Sequence, residues 1–527
     1  LFNSLPRHFY SPTQQVLSHI NSFGVSPAAP YNLGNHSLSE FALTQLTPKF
    51  VADSIKQWSI DIRPHDQDAK SNQKFVKVTT DSRQISPGCL FVGIKGEHFD
   101  GNAFAEQALQ AGALGVVTAQ PIDPKPWANR YIYHVSDSLA AFRDLARAWR
   151  KVFRGPVVAV AGSVGKTTTK EMTAALLRGK WPSVIKTESS QNGFVGIPMT
   201  LMSFTPDHHA AVVEIGIDDV DAMMQHWQLV LPDLAVITVT GPEHLERLRD
   251  VETASREEFV LLVQAFHAGK TVVLNLDDER IIHLARENKI SGPNVWGFSL
   301  RQNSAQALSI PKQTIYGEYI ANSNRLKCTA STGAVTLDCP LHGAHNANNL
   351  LAAFTVGRAL GLTEEEMRSG LKLFHSPPGR SEVKNLPTGQ TVICDHYNAN
   401  PSSFGSALEM SQTIHRSRGP SKGKLWACLG DMLELGAHEE RMHRNLAKVL
   451  ADHQVDEVLL VGERMRWLLD EVNSRRINIQ VRHVETHQTA AEVLARESRP
   501  QDTILIKGSR GLRMERVWEA LAGSKKS

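Results

Sequence analysis

Short apolar runs alternate with amphipathic stretches along most of the chain. VVAVAG (157–162) is a continuous β-branched run, and KTTTKEMTAALLRG follows it at helical spacing. AAVVEIG (210–216), LAVITVT (234–240) and TVVLNLD (271–277) read as further buried strands, with helical segments such as SREEFVLLVQAF between them. Strands that are apolar on both faces must be covered on both faces, so this alternation predicts a parallel sheet flanked by helices. Residues 313–341 switch to short strands, and 345–375 predict two helices. A second series follows: TVICD (391–395), KLWACLG (424–430), EVLLVG (457–462) and DTILIKG (502–508), each leading into a helical stretch. SPPGR (376–380) reads as the linker between the series, because Pro-Pro-Gly stops a helix. Upstream, KVTTDSR and CLFVGI form two strands about a Ser-Pro-Gly turn, FAEQALQAGA is helical and LGVVTA is a buried strand; this small α/β unit ends near Arg154. Residues 1–42 are polar and predict a loosely ordered extension with one short helix around Gln14–Phe23. The expectation is an α/β protein of three domains in series, over 43–154, 155–378 and 379–527.

Length and composition agree with this division. The 527 residues fit three or four domains at roughly 150 residues each. Hydrophobic residues make up 41% and charged residues 21%, an ordinary globular balance. Lys plus Arg (57) against Asp plus Glu (54) leaves +3, too even to predict nucleic-acid or membrane binding from the bulk field. No apolar run approaches the length of a membrane span. The first 25 residues lack a basic segment followed by an apolar one, so a cleaved secretory signal is not expected. Five scattered cysteines with no CxxC pair support neither a disulfide framework nor a Cys-based zinc site. A reduced, cytoplasmic protein is expected.

The sharpest local signal is the turn after 157–161, Gly162-Ser163-Val164-Gly165-Lys166-Thr167-Thr168. A buried strand runs into a Gly-containing turn and a helix opens at Lys-Thr, so backbone N–H groups converge on one concavity that favours an anion. Gly162 and Gly165 allow close backbone approach, Lys166 would reach the β/γ-phosphates of a nucleotide, and the Thr167 hydroxyl would face Mg²⁺. The longer GxxxxGK[ST] spacing would place glycine where Val160 stands, so the motif is the shorter GxxGKT. Glu214 ends the predicted strand AAVVE, at the edge where α/β sheets hold ligands, and is a candidate Mg²⁺ ligand.

Several words of sequence then converge. TTDSRQISPGCLFVGIKGEHFDG, AGSVGKTTTKEM, VGIPMTLM, HLERL, GAHNANNLLAA, PPGR, DHYNANPSS, LGDMLELG and IKGSRGLRMERV occur in this order. Together they resemble the Mur ligases, and within them the branch that adds D-alanyl-D-alanine, from roughly residue 43 to 523. The resemblance implies an N-terminal domain for a UDP-sugar peptide, a central P-loop ATPase domain and a C-terminal Rossmann-like domain for the dipeptide. It implies an ATP- and Mg²⁺-dependent amide ligase that joins D-alanyl-D-alanine to a UDP-N-acetylmuramoyl-tripeptide through an acyl phosphate, in peptidoglycan precursor synthesis. Small-molecule substrates follow from it, and a monomer is expected. A Mur-like ligase with a different acid and amine, as in folylpolyglutamate synthases, and a non-catalytic nucleotide-binding relative remain the alternatives.

Residue by residue, the resemblance places His244 near a second metal, and Asn275, His345, Asn346, Asn349 and Arg380 around the nucleotide. Asp395, Tyr397, Asn398 and Asn400 belong to the meeting point of nucleotide and dipeptide, although Asn400 before Pro401 equally suits a helix cap. Asp431 and Glu434 follow a strand and orient the same site, and Lys507, Ser509 and Arg510 hold a carboxylate or phosphate. Ser190 and Asn192 are polar contacts for substrate, while Ser82, Arg83 and Lys95 lie near the uridine diphosphate. One departure stands out. Mur ligases usually carry, soon after HLE, a lysine in an AKxEIF-like helix whose carbamate helps to hold the second Mg²⁺. The aligned stretch here, Ala254-Ser-Arg256-Glu-Glu258-Phe, has no lysine. A guanidinium stays protonated and forms no carbamate, so either Arg256 itself neutralises phosphoryl charge or the second metal site is weakened.

Overall fold

A computed structural model describes residues 45–63, 73–96, 99–301, 311–419 and 422–523. The polar extension and its short helix around Gln14–Phe23 lie outside these residues. Three mostly parallel sheets follow one another along the chain. The first contains β1 (Ser59–Arg63), β2 (Lys77–Thr79), β3 (Cys89–Val92), β4 (Gly115–Thr118) and β5 (Tyr131–Val135), in the order β1-β5-β4-β3-β2. Only β1 runs antiparallel to its neighbour. KVTTDSR, expected as one strand, pairs only over β2 and then turns through a short 3-10 helix at Ser82–Gln84, because the Asp81 carboxylate accepts the Arg83 N–H.

The second sheet is built from β6 (Val157–Ala161), β7 (Val184–Lys186), β8 (Ala210–Glu214), β9 (Leu234–Ile237), β10 (Thr271–Asn275), β11 (Gly292–Ser299), β12 (Pro311–Ile320), β13 (Arg325–Ala330) and β14 (Gly333–Asp338). Its order is β14-β13-β12-β11-β10-β9-β6-β8-β7, parallel from β7 to β12 and antiparallel across the last two pairs. The phosphate-loop strand β6 is fully buried between β8 and β9. The third sheet holds β15 (Glu382–Asn385), β16 (Thr391–Asp395), β17 (Leu425–Gly430), β18 (Glu457–Val461), β19 (Gln480–Val484) and β20 (Thr503–Lys507), in the order β15-β16-β20-β17-β18-β19. The sequence pattern does not single out β1, β7, β15 or β19. These edge strands are short, and EVKN and QVRHV mix polar residues into both faces. All five cysteines are free and buried, and no helix among the described residues is long and apolar enough to cross a membrane.

The first two domains share one core. The Ser138–Val152 helix packs Phe142, Leu145 and Trp149 into the apolar cluster that also contains Leu201, Phe204 and Val230 of the second domain. Trp149 Nε1 donates to the Phe204 carbonyl at 3.0 Å, and Arg150 Nε to the Val230 carbonyl at 2.8 Å. Beneath the phosphate loop, the Lys166–Leu177 helix is pressed against the segment that begins with the Glu364–Leu371 helix. A Cβ on Gly370 would lie 2.3 Å from the Ala175 carbonyl oxygen, so the absence of a side chain sets the helix spacing. Gly370→Ala is therefore expected to destabilise the middle domain by about 1–3 kcal/mol through overpacking. A urea melt would show it as a lower midpoint with an unchanged slope.

Candidate active site

The β6 strand delivers the chain to a turn that only glycine can make. Gly162 has φ +117° and Gly165 φ +91°. A Cβ on Gly162 would meet Thr238 Oγ1 at 2.3 Å, and one on Gly165 would meet Asn349 Oδ1 at 2.4 Å. Ser163 pins the turn to the strand-end beside it, since its hydroxyl donates to the Gly241 carbonyl at 3.1 Å and accepts the Gly241 N–H at 2.9 Å. The run LAVITVT stops pairing as a strand at Ile237, and Val239 then bridges Val164 in the turn. The helix that opens at Lys166 has no side-chain cap, so its first N–H groups point at the cavity and favour an anion.

Charge is concentrated here. Lys166 is buried, with Nζ 2.9 and 2.8 Å from the two Glu243 oxygens and 3.8 Å from Glu258 Oε1. Burial opposes its charge, but Glu243 and Glu258 outweigh burial and hold the ammonium above its ordinary range. Glu258 Oε2 accepts the Gly162 N–H at 2.8 Å, while Oε1 has no hydrogen-bond partner. Burial pushes the Glu258 carboxyl up to about 7 against the pull of Lys166. Glu214, at the end of β8, accepts from the Thr167 hydroxyl at 3.1 Å and from Asn192 Nδ2 at 2.9 Å through Oε1, and its buried Oε2 accepts no hydrogen bond.

The Thr167 hydroxyl and the Glu214 carboxylate, whose Oε2 accepts no hydrogen bond but lies 3.3 Å from the Lys170 ammonium, are hard oxygen ligands of the kind Mg²⁺ takes. Among the described residues no group of three or more acidic, histidine or cysteine side chains forms a metal cage by itself. The residues fit an ion that keeps phosphate and water ligands, as Mg²⁺ at nucleotide sites does.

The third sheet supplies the opposite wall. Asp395 at the end of β16 and Lys507 at the end of β20 pair at 2.7 Å, and Lys507 also donates to the Asn398 carbonyl at 3.2 Å. Burial would raise the Asp395 carboxyl, but Lys507 holds it below the usual range. Arg380 lies 4.2 Å from the Tyr397 ring centre and Arg510 5.5 Å from it. Burial drives His345 down to about 4, leaving a neutral imidazole. Across the gap, His244 Nδ1 lies 2.7 Å from Glu434 Oε2, joining two residues with left-handed backbones.

Both walls enclose one cavity of about 330 Å³. It is lined by Ser163, Gly165, Lys166, Thr167, Thr168, Ser190, Asn192, Glu214, His244, His345, Asn346, Asn349, Arg380, Asp395, Tyr397, Asn398, Asn400 and Lys507. Asn275 faces an adjoining cavity of about 730 Å³ with Asp277, Asp278 and Arg301. Gly162 lies behind the turn rather than on the cavity wall. Asn400 caps the Pro401–Ser417 helix in a capping box with Ser403, and Ser509 holds the loops by accepting the Leu433 N–H. Asp431 accepts the Met465 N–H at 2.9 Å. Ser82, Arg83 and Lys95 lie on the first domain and do not line either cavity; exposed Arg83 pairs with Asp81.

Arg256 requires a correction. Its side chain is 45% exposed, and it pairs with Glu252 at 2.7 Å and Glu287 at 2.9 Å, outside both cavities. On the Val251–His267 helix the inward stripe is Ala254, Glu258, Leu261, Leu262 and Ala265, all buried, and Arg256 lies off it. The carboxylate that reaches the phosphate loop is Glu258. The motifs single out neither Glu258 nor Glu243, although an acidic residue in phase with an apolar helical stripe is a readable signal.

Comparison with known proteins places these features in context. Residues 74–150 match the model of the Mur ligase family, catalytic domain, residues 160–357 the Mur ligase middle domain, and residues 379–510 the Mur ligase, glutamate ligase domain. The chain is 31% identical over 447 residues to the UDP-N-acetylmuramoyl-tripeptide–D-alanyl-D-alanine ligase of Escherichia coli, covering 84% of this chain and 93% of that protein. The Bacillus subtilis enzyme of the same name is 29% identical over 85% and 93% of the two chains. In structure, MurF of Acinetobacter baumannii matches with a TM-score of 0.77 at 23% identity, over 92% of this chain and all of that one. MurF of Thermotoga maritima in complex with ADP matches with a TM-score of 0.70 at 25% identity, over 85% and 97%.

Two substitutions test the geometry. Gly165→Ala adds a Cβ that collides with Asn349 and strains a positive φ, and is expected to lower nucleotide affinity at least about 100-fold by calorimetry, the scale of a misplaced binding geometry. Arg256→Ala removes exposed ion pairs only, so unfolding free energy should move by no more than about 0.5 kcal/mol, with nucleotide affinity unchanged.

Proposed function

This chain belongs to the Mur ligase family, and on that premise we propose that it joins D-alanyl-D-alanine to UDP-N-acetylmuramoyl-tripeptide with ATP, in peptidoglycan precursor synthesis. The observation that carries this reading is the single cavity in which the phosphate loop of the second sheet faces Asp395–Asn400 of the third. In the reaction, the terminal carboxylate of the tripeptide takes the γ-phosphoryl group of ATP, giving an acyl phosphate and ADP. The free amine of the dipeptide then attacks the acyl carbon and loses a proton, and inorganic phosphate leaves as the amide forms.

Most of this chemistry is positioning and charge neutralisation. The N–H groups at the opening of the Lys166–Leu177 helix and the Lys166 ammonium receive the β- and γ-phosphates. Thr167 and Glu214 would hold Mg²⁺, which would supply positive charge against the phosphates. Because Lys166 is already clamped by Glu243 and Glu258, it meets the nucleotide in a set direction rather than as a mobile side chain. Asn275, together with Asn346 and Asn349, faces the nucleoside side, with neutral His345 between the two cavities. Ser190 and Asn192 approach the tripeptide, and Ser82, Arg83 and Lys95 the uridine diphosphate. Tyr397, braced by Arg380 and Arg510, and Asn398 receive the dipeptide, whose carboxylate suits a guanidinium. His244 lines the cavity, and Glu434 holds its Nδ1; Nε2, 3.8 Å from Glu243 Oε1, is the nitrogen that would face a metal. The enzyme acts on small-molecule substrates as a cytoplasmic monomer.

Phosphate release decides the matter. Purified protein with ATP, Mg²⁺ and the tripeptide precursor should release phosphate in stoichiometry with amide when D-alanyl-D-alanine is added. Lys166→Ala should lower that release at least about 100-fold, as loss of a transition-state charge contact does. Nucleotide binding without release in the complete mixture would contradict ligation and favour a non-catalytic relative.

A further inference from the structure

Lys170 lies one turn beyond Lys166 on the helix that opens at the phosphate loop, and none of its surface is exposed. The chemistry above makes no use of it. A buried ammonium is strongly unfavourable unless its protons and its charge are met, and here both are. Nζ donates to the carbonyls of Thr187 and Ser189 at 2.8 Å each. It also lies 3.3 Å from Glu171 Oε1 and 3.3 Å from Glu214 Oε2.

The two carbonyls belong to the loop after β7 that brings Ser190 and Asn192 to the cavity. Ser189 enters that loop with φ +53°, a left-handed backbone that serine adopts only when its surroundings enforce it. The loop and Glu214 are also tied directly. Thr187 Oγ1 accepts the Glu214 N–H at 3.0 Å, and Asn192 Nδ2 donates to Glu214 Oε1 at 2.9 Å. Glu214 Oε2, which accepts no hydrogen bond, faces the Lys170 charge. One ammonium therefore touches both the carboxylate beside Thr167 and the carbonyls that shape the substrate-facing loop.

We infer that Lys170 is a positioning residue, which fixes Glu214 and the 187–192 loop in one register so that the metal-facing carboxylate and the Ser190–Asn192 wall are aligned together. The inference rests on the proposed ligase reading for what the site binds, and on the contacts alone for how it is aligned.

The test compares the full chain with Lys170→Met by three readouts: phosphate release across a Mg²⁺ titration, Mn²⁺ binding in the presence of ADP by electron paramagnetic resonance, and amide hydrogen exchange across 187–192. Loss of the ammonium should lower kcat about 100-fold, as misaligned reacting groups do, and weaken Mn²⁺ binding about 10- to 100-fold, as loss of a partner behind a metal ligand does. Exchange across the loop should rise. Lys170→Arg keeps the charge and should recover kcat to within about tenfold of wild type. Mn²⁺ affinity and loop exchange within about twofold of wild type in Lys170→Met would overturn the inference, as would Lys170→Arg performing no better than Lys170→Met. If Lys170→Met does not fold, Lys170→Gln, which keeps amide donors but no charge, is judged by the same thresholds. A wild-type protein that binds Mn²⁺ and ADP yet releases no phosphate with both substrates would sink the ligase proposal alone, leaving Lys170 to be judged on binding and exchange.

Discussion

A lysine placed to grip phosphates must sit at the bottom of a cavity, and there its charge is desolvated whether or not a nucleotide is bound. The middle domain is organised around that constraint. Glu243 and Glu258 close on Lys166 from the segments after β9 and within the Val251–His267 helix, and Glu258 simultaneously takes the N–H of Gly162. The positive-φ glycines, the Ser163–Gly241 exchange of hydrogen bonds and the Asn349 side chain against Gly165 follow from packing a tight turn around those charges. Removing one member of such a cluster leaves another buried and unpaired, which is far more damaging than losing a surface pair. That asymmetry separates Lys166, Glu258 and Lys170 from Arg256.

The opposite wall obeys the same rule with different parts. Lys507 and Asp395 stand at the ends of adjacent parallel strands, β20 and β16, and neutralise each other 2.7 Å apart. Their pairing orders the loop through Asn400, which then caps the next helix. Residues that look like ligand contacts in the linear sequence thus have two duties: they line the cavity, and they satisfy buried charges or helix ends that would otherwise be unmet. The His244–Glu434 contact and the approach of Arg380 to Ser190 link the two walls. These contacts hold the two walls of the cavity against each other.

Much of this is legible along the chain itself. VVAVAG followed by Gly162 to Thr168 announced a buried strand, a tight turn and an anion-binding helix start, because each step has a local physical signature. TVICD and DTILIKG announced two buried parallel strands, and the groups at their ends, Asp395 and Lys507, fell on the ligand edge that such sheets share. The misreading of Arg256 has an equally local origin. Position within a motif says nothing of burial, which depends on helical phase, and phase points Glu258 inward and Arg256 outward. Glu243 carried no comparable signal, since a carboxylate in a Pro-Glu-His turn is ordinarily solvated and only the fold brings it within 2.8 Å of Lys166.

By itself, then, the sequence determined the class of fold, the order of the three domains, the position of the phosphate loop and the family, because these rest on periodicity, turn chemistry and contiguous motifs. Tertiary structure alone decided which charges meet. Lys170 and Glu214 are separated by more than forty residues, as are Lys166 and Glu243, while Asp395 and Lys507 are more than a hundred apart. Electrostatic pairing acts over a few ångströms in space and leaves no trace along a chain whose separate segments each read as ordinary.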